Sequence, residues 1–350
     1  MNFEVRSRAS AGNRRLGKVE LRPLRTKDRL VLGDSAPAGP WEAFRKFEAG
    51  PWIAYGWARI GEFLARVLPE SLAPPLLWAL QTAYSRMSKR RMLMMRRHLE
   101  KVLGPMPARE LEQRMQRATA LYARYWYETF RLSSMPSSEV VELLETEGEE
   151  WIAESLQKGK GVILALPHLG NWDMAGCYVS HRYGPVLAIA EYLRPRKAFE
   201  HWKRTRERLG MRIVPLDGTS LSVKEAIKQL KSGGIVALVA DRQIGPGGIP
   251  VEFFGEITRV PAGPAALALR TGADLLPVGL YMIEGGRHRG VVRPPIGPSQ
   301  GSSVQEKIVE TTTSLIREFE ELIRNDPEQW HLFTPFWPSD WEALGVQAPS

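Results

Sequence analysis

The chain has 350 residues, 43% of them hydrophobic and 25% charged, which is enough for one large α/β domain or a domain with an appended helical layer. Its formal charge of +9 attracts acidic partners without choosing among nucleic acid, anionic lipid and phosphorylated co-substrates. A single cysteine, Cys177, excludes an internal disulfide and a multi-cysteine zinc site, and fits a reducing compartment.

Residues 1–40 read as a basic, poorly ordered arm, Arg-rich and polar up to Asp34, without the apolar run of a secretory signal. Residues 41–145 read as an amphipathic helical layer. Between Pro51 and Val67 the apolar residues Ile53, Trp57, Ile60, Leu64 and Val67 recur at helical spacing, with Trp52 and Phe63 widening the stripe. Arg59, Glu62 and Arg66 interrupt the run, so it is too charged to span a bilayer. A further helix is expected over 74–87. The segment "SKRRMLMMRRHLEKVLG" then sets four apolar residues between two basic clusters, and another helix runs from about Ala108 to Leu132. Trp-rich and Met/Arg-rich helices of this kind suit either packing on a sheet or lying on an anionic lipid surface, and different faces of one helix can do both.

From 146 to 345 the pattern changes to short apolar runs separated by helical segments, which predicts an α/β fold with a mostly parallel central sheet flanked by helices, continuous with the helical layer. The runs are "GVILAL", "PVLAIA", "MRIVPL", "GIVALVA" and "DLLPVGLYMI", and a long helix is expected from Ser303 to Arg324. Three runs deliver an ionisable residue just past their carboxyl end: His168, Glu191 and Asp241. In an open α/β sheet that edge is where ligands bind, so the three are candidates for one site although far apart in sequence.

The stretch "LALPHLGNWDMAG" carries the densest chemistry. Pro167 and Gly170 predict a strand-to-helix turn, Asn171 an N-cap, and Asp173 a place in the first helical turn, from which it can face the same opening as His168. A carboxylate beside an imidazole fixes its tautomer and raises its basicity, as a general base requires. His98, His181, His201, His288 and His331 lack a comparable strand-exit setting with a nearby acid. Metal-ligand spacing, a Gly-x-Ser-x-Gly elbow and a Gly-x-Gly-x-x-Gly loop after a strand are all missing, so neither a metal nor another cofactor is expected.

The arrangement His168-(Leu-Gly-Asn-Trp)-Asp173 resembles the HX4D signature of glycerolipid and lysophospholipid acyltransferases. "LPHLGNWDMAG" resembles more narrowly the branch containing lipid A late acyltransferases and actinobacterial phosphatidylinositol mannoside acyltransferases. The likeness extends in order through "YARYWYETFRL", "GKGVILALPHLGNWD", "AEYLRPRKAFEHWKRTRERLG", "LVADRQI", "VEFFGE", "RVPAGPAALALRTGADLLPV" and "PEQWHLFTPFW". It implies transfer of a fatty acyl group from a thioester donor, acyl-CoA or acyl carrier protein, to a glycolipid hydroxyl, with His168 as general base. Two assignments of the partner carboxylate compete. The generic scheme gives it to Asp173, whereas the phosphatidylinositol mannoside branch carries it on the later strand, at Asp241. The reading favours Asp241 as partner and Asp173 as an orienting residue.

The same resemblance implies that Glu191 and Arg206 lie around the acyl carbonyl. Arg242 is expected either to pair with Asp241 or to contact a lipid phosphate. Gln243 stands where relatives with "DRD" carry a second acid, and His98 stands where they often carry Asn, in a region expected to concern membrane docking. Peripheral attachment to an anionic membrane at its cytoplasmic face follows as the expected location. The charge alone invites a nucleic-acid-binding reading, but no nucleic-acid recognition signature is present. An esterase using water as acceptor needs the same base and a way of admitting water.

Overall fold

The computed structural model describes residues 51–67, 79, 81–82, 89–132, 134–192, 195–245 and 247–347. The arm expected over 1–40 and most of the helix expected over 74–87 lie outside them, as do the side chains of Trp52, Ile53 and Trp57. Four described helices come first: α1 (Pro51–Val67), α2 (Lys89–Leu103), α3 (Ala108–Leu132) and α4 (Ser137–Glu142). They lead through β1 (Leu144–Glu147) and α5 (Glu150–Gln157) into alternating units: β2 (Val162–Leu166), α6 (Trp172–Tyr183), β3 (Leu187–Glu191), α7 (Arg196–Arg208), β4 (Arg212–Leu216), α8 (Leu221–Lys231) and β5 (Ile235–Val239). A hairpin of β6 (Ile249–Phe253) and β7 (Glu256–Val260) follows, then α9 (Gly263–Thr271), β8 (Asp274–Met282), β9 (His288–Val292), α10 (Val304–Asn325) and α11 (Pro338–Ala343).

Seven strands form one sheet in the order β1-β9-β8-β2-β5-β3-β4. Every neighbouring pair is parallel except β8 with β9. The five apolar runs of the sequence are β2, β3, β4, β5 and β8. The short strands β1, β7 and β9 have no comparable apolar signal, since "LETE", "EITRV" and "HRGVV" are half polar, and β6, "IPVEF", is broken by a proline and an acid.

All five residues of β2 are buried, and their alternation feeds two cores. Ile163 and Ala165 face one layer, with Ala226 and Leu230 of α8, Leu267 of α9 and Leu315, Ile316, Phe319, Leu322 and Ile323 of α10. Val162, Leu164 and Leu166 face the other, with Ile152 of α5 and Val179 of α6. A capping box starts α10: the Ser303 hydroxyl accepts from the Glu306 amide at 3.2 Å, and the Glu306 carboxylate accepts from the Ser303 amide at 3.1 Å. The N-terminal helices pack on the same body. Met95 and Leu99 of α2 meet Leu111 and Ala118 of α3 and Phe333, while Ala65 of α1 meets Tyr127 and Phe130 of α3. Among the described residues, no helix is long and apolar enough to cross a membrane.

Phe319 is fully buried at the centre of the α10 face. Phe319→Ala is expected to cost about 3–5 kcal/mol, the usual range for emptying a packed aromatic site. Urea titration followed by tryptophan fluorescence reads it; a loss under about 1 kcal/mol would mean that the α10 layer is not packed as described.

Candidate active site

Registered parallel pairing sets the carboxyl ends of β2 and β5 side by side, with Leu166 opposite Val239, and β3 lies next to β5. Side chains just past these ends therefore share one edge. Asp241 is completely buried there and accepts three hydrogen bonds: Oδ1 from Nδ1 of His168 at 2.6 Å, and Oδ2 from the His168 amide at 2.9 Å and from Nε1 of Trp330 at 2.8 Å. Burial pushes the Asp241 carboxyl up, but the His168 imidazole and these hydrogen bonds outweigh it and hold the group below the usual carboxylate range. Asp241 is thus ionised and His168 carries its proton on Nδ1. Nε2 of His168 is left as an acceptor and bonds to no described residue, on a side chain that is 22% exposed.

The backbone around His168 is clamped from the C-terminal segment. Leu169 and Trp330 form an isolated antiparallel bridge, in which the His331 amide donates to the His168 carbonyl at 2.7 Å and the Gly170 amide to the Gln329 carbonyl at 3.0 Å. Gly170 has φ +63°, and a Cβ there would stand 2.4 Å from the Leu280 carbonyl oxygen, so the turn requires glycine. Gln329 is itself fixed, its side-chain amide exchanging bonds of 2.6 and 3.0 Å with the Met282 backbone.

Asp173 occupies the first turn of α6, as the sequence predicts, but its partner is Arg206 of α7, with Nε at 2.6 Å and Nη2 at 3.2 Å. The HX4D aspartate is therefore engaged by an arginine, and the imidazole of His168 by the carboxylate after β5. Arg206, expected beside the acyl carbonyl, is turned inward onto Asp173. Arg242 pairs with Glu191 at 2.8 Å and not with Asp241. The structure brings His168, Asp241, Glu191 and Arg242 to one edge and joins Asp173 to Arg206 as a separate pair.

Asn171 precedes α6 at the N-cap position, yet its side chain makes no capping bond. Its Nδ2 donates instead to Glu128 of α3 at 3.1 Å. Glu128 also binds Nε of Arg124 at 2.6 Å and lies 3.2 Å from Nε2 of His288. Burial raises the Glu128 carboxyl, but His288 and Arg124 prevail and keep it ionised below the usual range.

Acids near His98, His201 and His288 become visible only in three dimensions. His98 is buried, facing the Leu332 carbonyl through Nδ1 at 2.7 Å and Asp340 through Nε2 at 3.1 Å, so its own side chain belongs to the packed side of α2. Arg97 likewise binds Asp340, at 2.7 Å, and Met94 and Met95 are buried, so one side of the Met/Arg helix packs inward. Trp330, Gln329, Glu128 and His331 support the site and were not singled out by the sequence. Trp330, Gln329 and His331 lie in "PEQWHLFTPFW", and Glu128 in "YARYWYETFRL", whose residues carried no individual assignment.

The family model described as bacterial lipid A biosynthesis acyltransferase matches residues 48–339. A phosphatidylinositol mannoside acyltransferase of Mycolicibacterium smegmatis is 35% identical over 288 residues, covering 82% of this chain and 90% of that protein. A protein of the same name from Mycobacterium tuberculosis is 35% identical over 249 residues, covering 70% and 77% respectively.

Burial among Tyr122, Tyr125 and Phe333, aided by the nearby His168, pulls the pKa of the His331 imidazole down to about 3. An unfolded histidine takes up its proton near about 6.5. The unfolded chain therefore binds the extra proton first, so the neutral ring's contribution to stability is complete above pH 6.5 and declines as pH falls toward 3. His331→Leu is expected to flatten the stability profile between pH 6.5 and 4, read as urea midpoints across that window. A slope unchanged from the parent would show that His331 does not titrate this way.

Proposed function

Because the chain belongs to the bacterial lipid A biosynthesis acyltransferase family and is accordingly an acyltransferase, we propose that it moves a fatty acyl group from acyl-CoA or acyl carrier protein to a hydroxyl of a phosphatidylinositol mannoside. The observation that carries the mechanism is the 2.6 Å contact between Nδ1 of His168 and the buried, ionised Asp241, which leaves Nε2 as the acceptor at the sheet edge. Nε2 takes the proton of the acceptor hydroxyl as its oxygen attacks the thioester carbonyl, and Asp241 stabilises the imidazolium so formed. Collapse of the tetrahedral intermediate breaks the C–S bond and reforms the carbonyl. The proton on Nε2 passes to the departing thiolate.

The remaining charges have roles that suit this chemistry. Asp173 fixes Arg206 and the first turn of α6, and thereby the loop that carries His168. Glu191 and Arg242 border the opening and supply polar groups for the acceptor's hydroxyls. The name of the relatives supports the phosphatidylinositol mannoside acceptor, and a lipid A-type or lysophospholipid acceptor is the alternative. The reading is tested by incubating the protein with labelled acyl-CoA and a native lipid extract, then identifying the product by mass spectrometry. Acylated mannolipid supports it, whereas free fatty acid alone points to an esterase.

In that assay His168→Ala is expected to lower turnover by roughly 10²–10⁴-fold while the protein stays folded. Asp241→Asn is expected to cost more than Asp173→Asn, since only the former leaves the imidazolium without its counter-charge. The reverse ranking would return the catalytic partnership to the HX4D aspartate.

The protein is further proposed to bind the cytoplasmic face of the cell membrane peripherally. The support is the outer stripe of α1, where Ile60, Phe63 and Val67 are 50–62% exposed. Phe63→Ser is expected to reduce co-sedimentation with anionic vesicles several-fold without lowering turnover of a detergent-dispersed acceptor. Equal sedimentation of parent and variant would remove α1 from the contact.

A further inference from the structure

Between α1 and α7 lies an open cleft of about 730 Å³, lined by Tyr55, Arg59 and Glu62 on one side and His201, Arg204, Glu207 and Arg208 on the other. None of these residues takes part in the cluster around His168. Its floor is a buried carboxylate: Glu62 binds Nη1 of Arg59 at 2.6 Å and lies 3.0 Å from Nε2 of His201. Burial lowers the His201 pKa, Glu62 opposes that, and Arg59 and Arg208 add to the lowering, so the ring is neutral and Arg59 balances Glu62. At the rim Glu207 faces Lys203 at 3.7 Å.

Two positive charges are left over. Arg204 and Arg208 are exposed, one helical turn apart, and among the described residues neither meets a carboxylate. Their contacts are to a backbone carbonyl, of Glu200 at 3.1 Å, and to a hydroxyl, of Thr205 at 3.4 Å. Two residues to either side of Arg206, they lie about 200° around the helix from it, so α7 turns Arg206 toward Asp173 and presents Arg204 and Arg208 to the cleft. A pair of guanidiniums at one mouth, over a floor already neutralised, is a donor arrangement suited to phosphoryl oxygens. Ile60, the residue after Arg59, opens the exposed apolar stripe of α1, so the cleft also stands beside the surface proposed to meet lipid.

We propose that the α1–α7 cleft is a phosphate-binding site in which Arg204 and Arg208 take the phosphoryl group, with Arg59 and His201 behind them. The phosphate belongs either to the nucleotide of a coenzyme A donor or to the headgroup of an anionic phospholipid. Only the choice between these sources rests on the acyl-transfer reading. The site itself is read by binding without turnover, so an inactive preparation that still binds would separate the two.

The test uses the full chain and two probes: adenosine 3′,5′-bisphosphate by calorimetry, and phosphatidylcholine vesicles containing phosphatidylinositol by co-sedimentation. Arg204→Gln with Arg208→Gln is compared with Lys224→Gln plus Lys228→Gln, which removes the same charge from exposed positions one turn apart on α8. The arginine pair is expected to lose at least tenfold in affinity for one probe while the lysine pair keeps it. Loss for the bisphosphate alone assigns the donor nucleotide, and loss for the vesicles alone assigns the headgroup. Circular dichroism of both variants confirms folding, and if Gln at 204 and 208 unfolds the chain, Arg204→Lys alone is expected to weaken binding by removing the planar fork. Equal affinities in the arginine and lysine variants for both probes would overturn the site.

Discussion

A carboxylate buried without any exposure, held ionised by three donors, is the constraint around which the rest is arranged. Transferring such a group out of water costs several kcal/mol, and the cost is recovered only if every donor stays in place. Asp241 draws its donors from two distant segments, the ring and amide of His168 after β2 and the indole of Trp330 near the C-terminus. The carboxylate that orients the imidazole therefore also ties the end of the chain across the sheet edge. Trp330 is held in turn by an aromatic cluster with Phe253, Phe336 and Trp337, so the hairpin and the last helix contribute to the geometry of one histidine.

The same logic recurs at a distance from His168. Glu128 is shared by Arg124, Asn171 and His288, Asp340 by Arg97 and His98, and Asp173 is gripped by Arg206. Each carboxylate is buried or nearly so, and each joins elements far apart in sequence: α3 to the loop before α6 and to β9, α2 to α11, and α6 to α7. Removing one partner of such a pair strands the other, typically at 3–5 kcal/mol, so these contacts specify the arrangement of the helices more than they add to stability. Apolar packing holds the layers together, and the buried pairs set how they are aligned.

How far the sequence could be read follows from this division. Apolar periodicity is a local property, and β2, β3, β4, β5, β8, α1, α3 and α10 were legible in it. The strands β1, β6, β7 and β9 were not, because one face of each is exposed and the alternation is too short to stand out. At the site, the rule that ligands gather at the carboxyl edge of a parallel sheet located His168, Glu191 and Asp241 together. The competition between Asp173 and Asp241 had no local solution, since the nearer carboxylate in sequence is committed to an arginine 33 residues on. Trp330 and Glu128 were illegible for the same reason: a tryptophan or glutamate in a long helix or tail carries no local mark of the carboxylate or amide that it meets after folding.

The helix α7 shows how one charged segment can hold two opposed functions. Arg196, Lys197, Lys203, Arg204, Arg206 and Arg208 crowd its thirteen residues, and the sequence alone does not separate a solvated basic face from an anion-binding one. Packing divides the helix. Ala198, Phe199 and Thr205 are buried, Arg206 is drawn inward by a desolvated aspartate, and Arg204 and Arg208 remain at the surface. An arginine differs from its neighbours only through the carboxylate that it reaches, and at 3.6 residues per turn positions two apart cannot reach the same one. The spacing of arginines at every second position therefore separates, on a single helix, a guanidinium committed to the fold from two that are free to meet an anion.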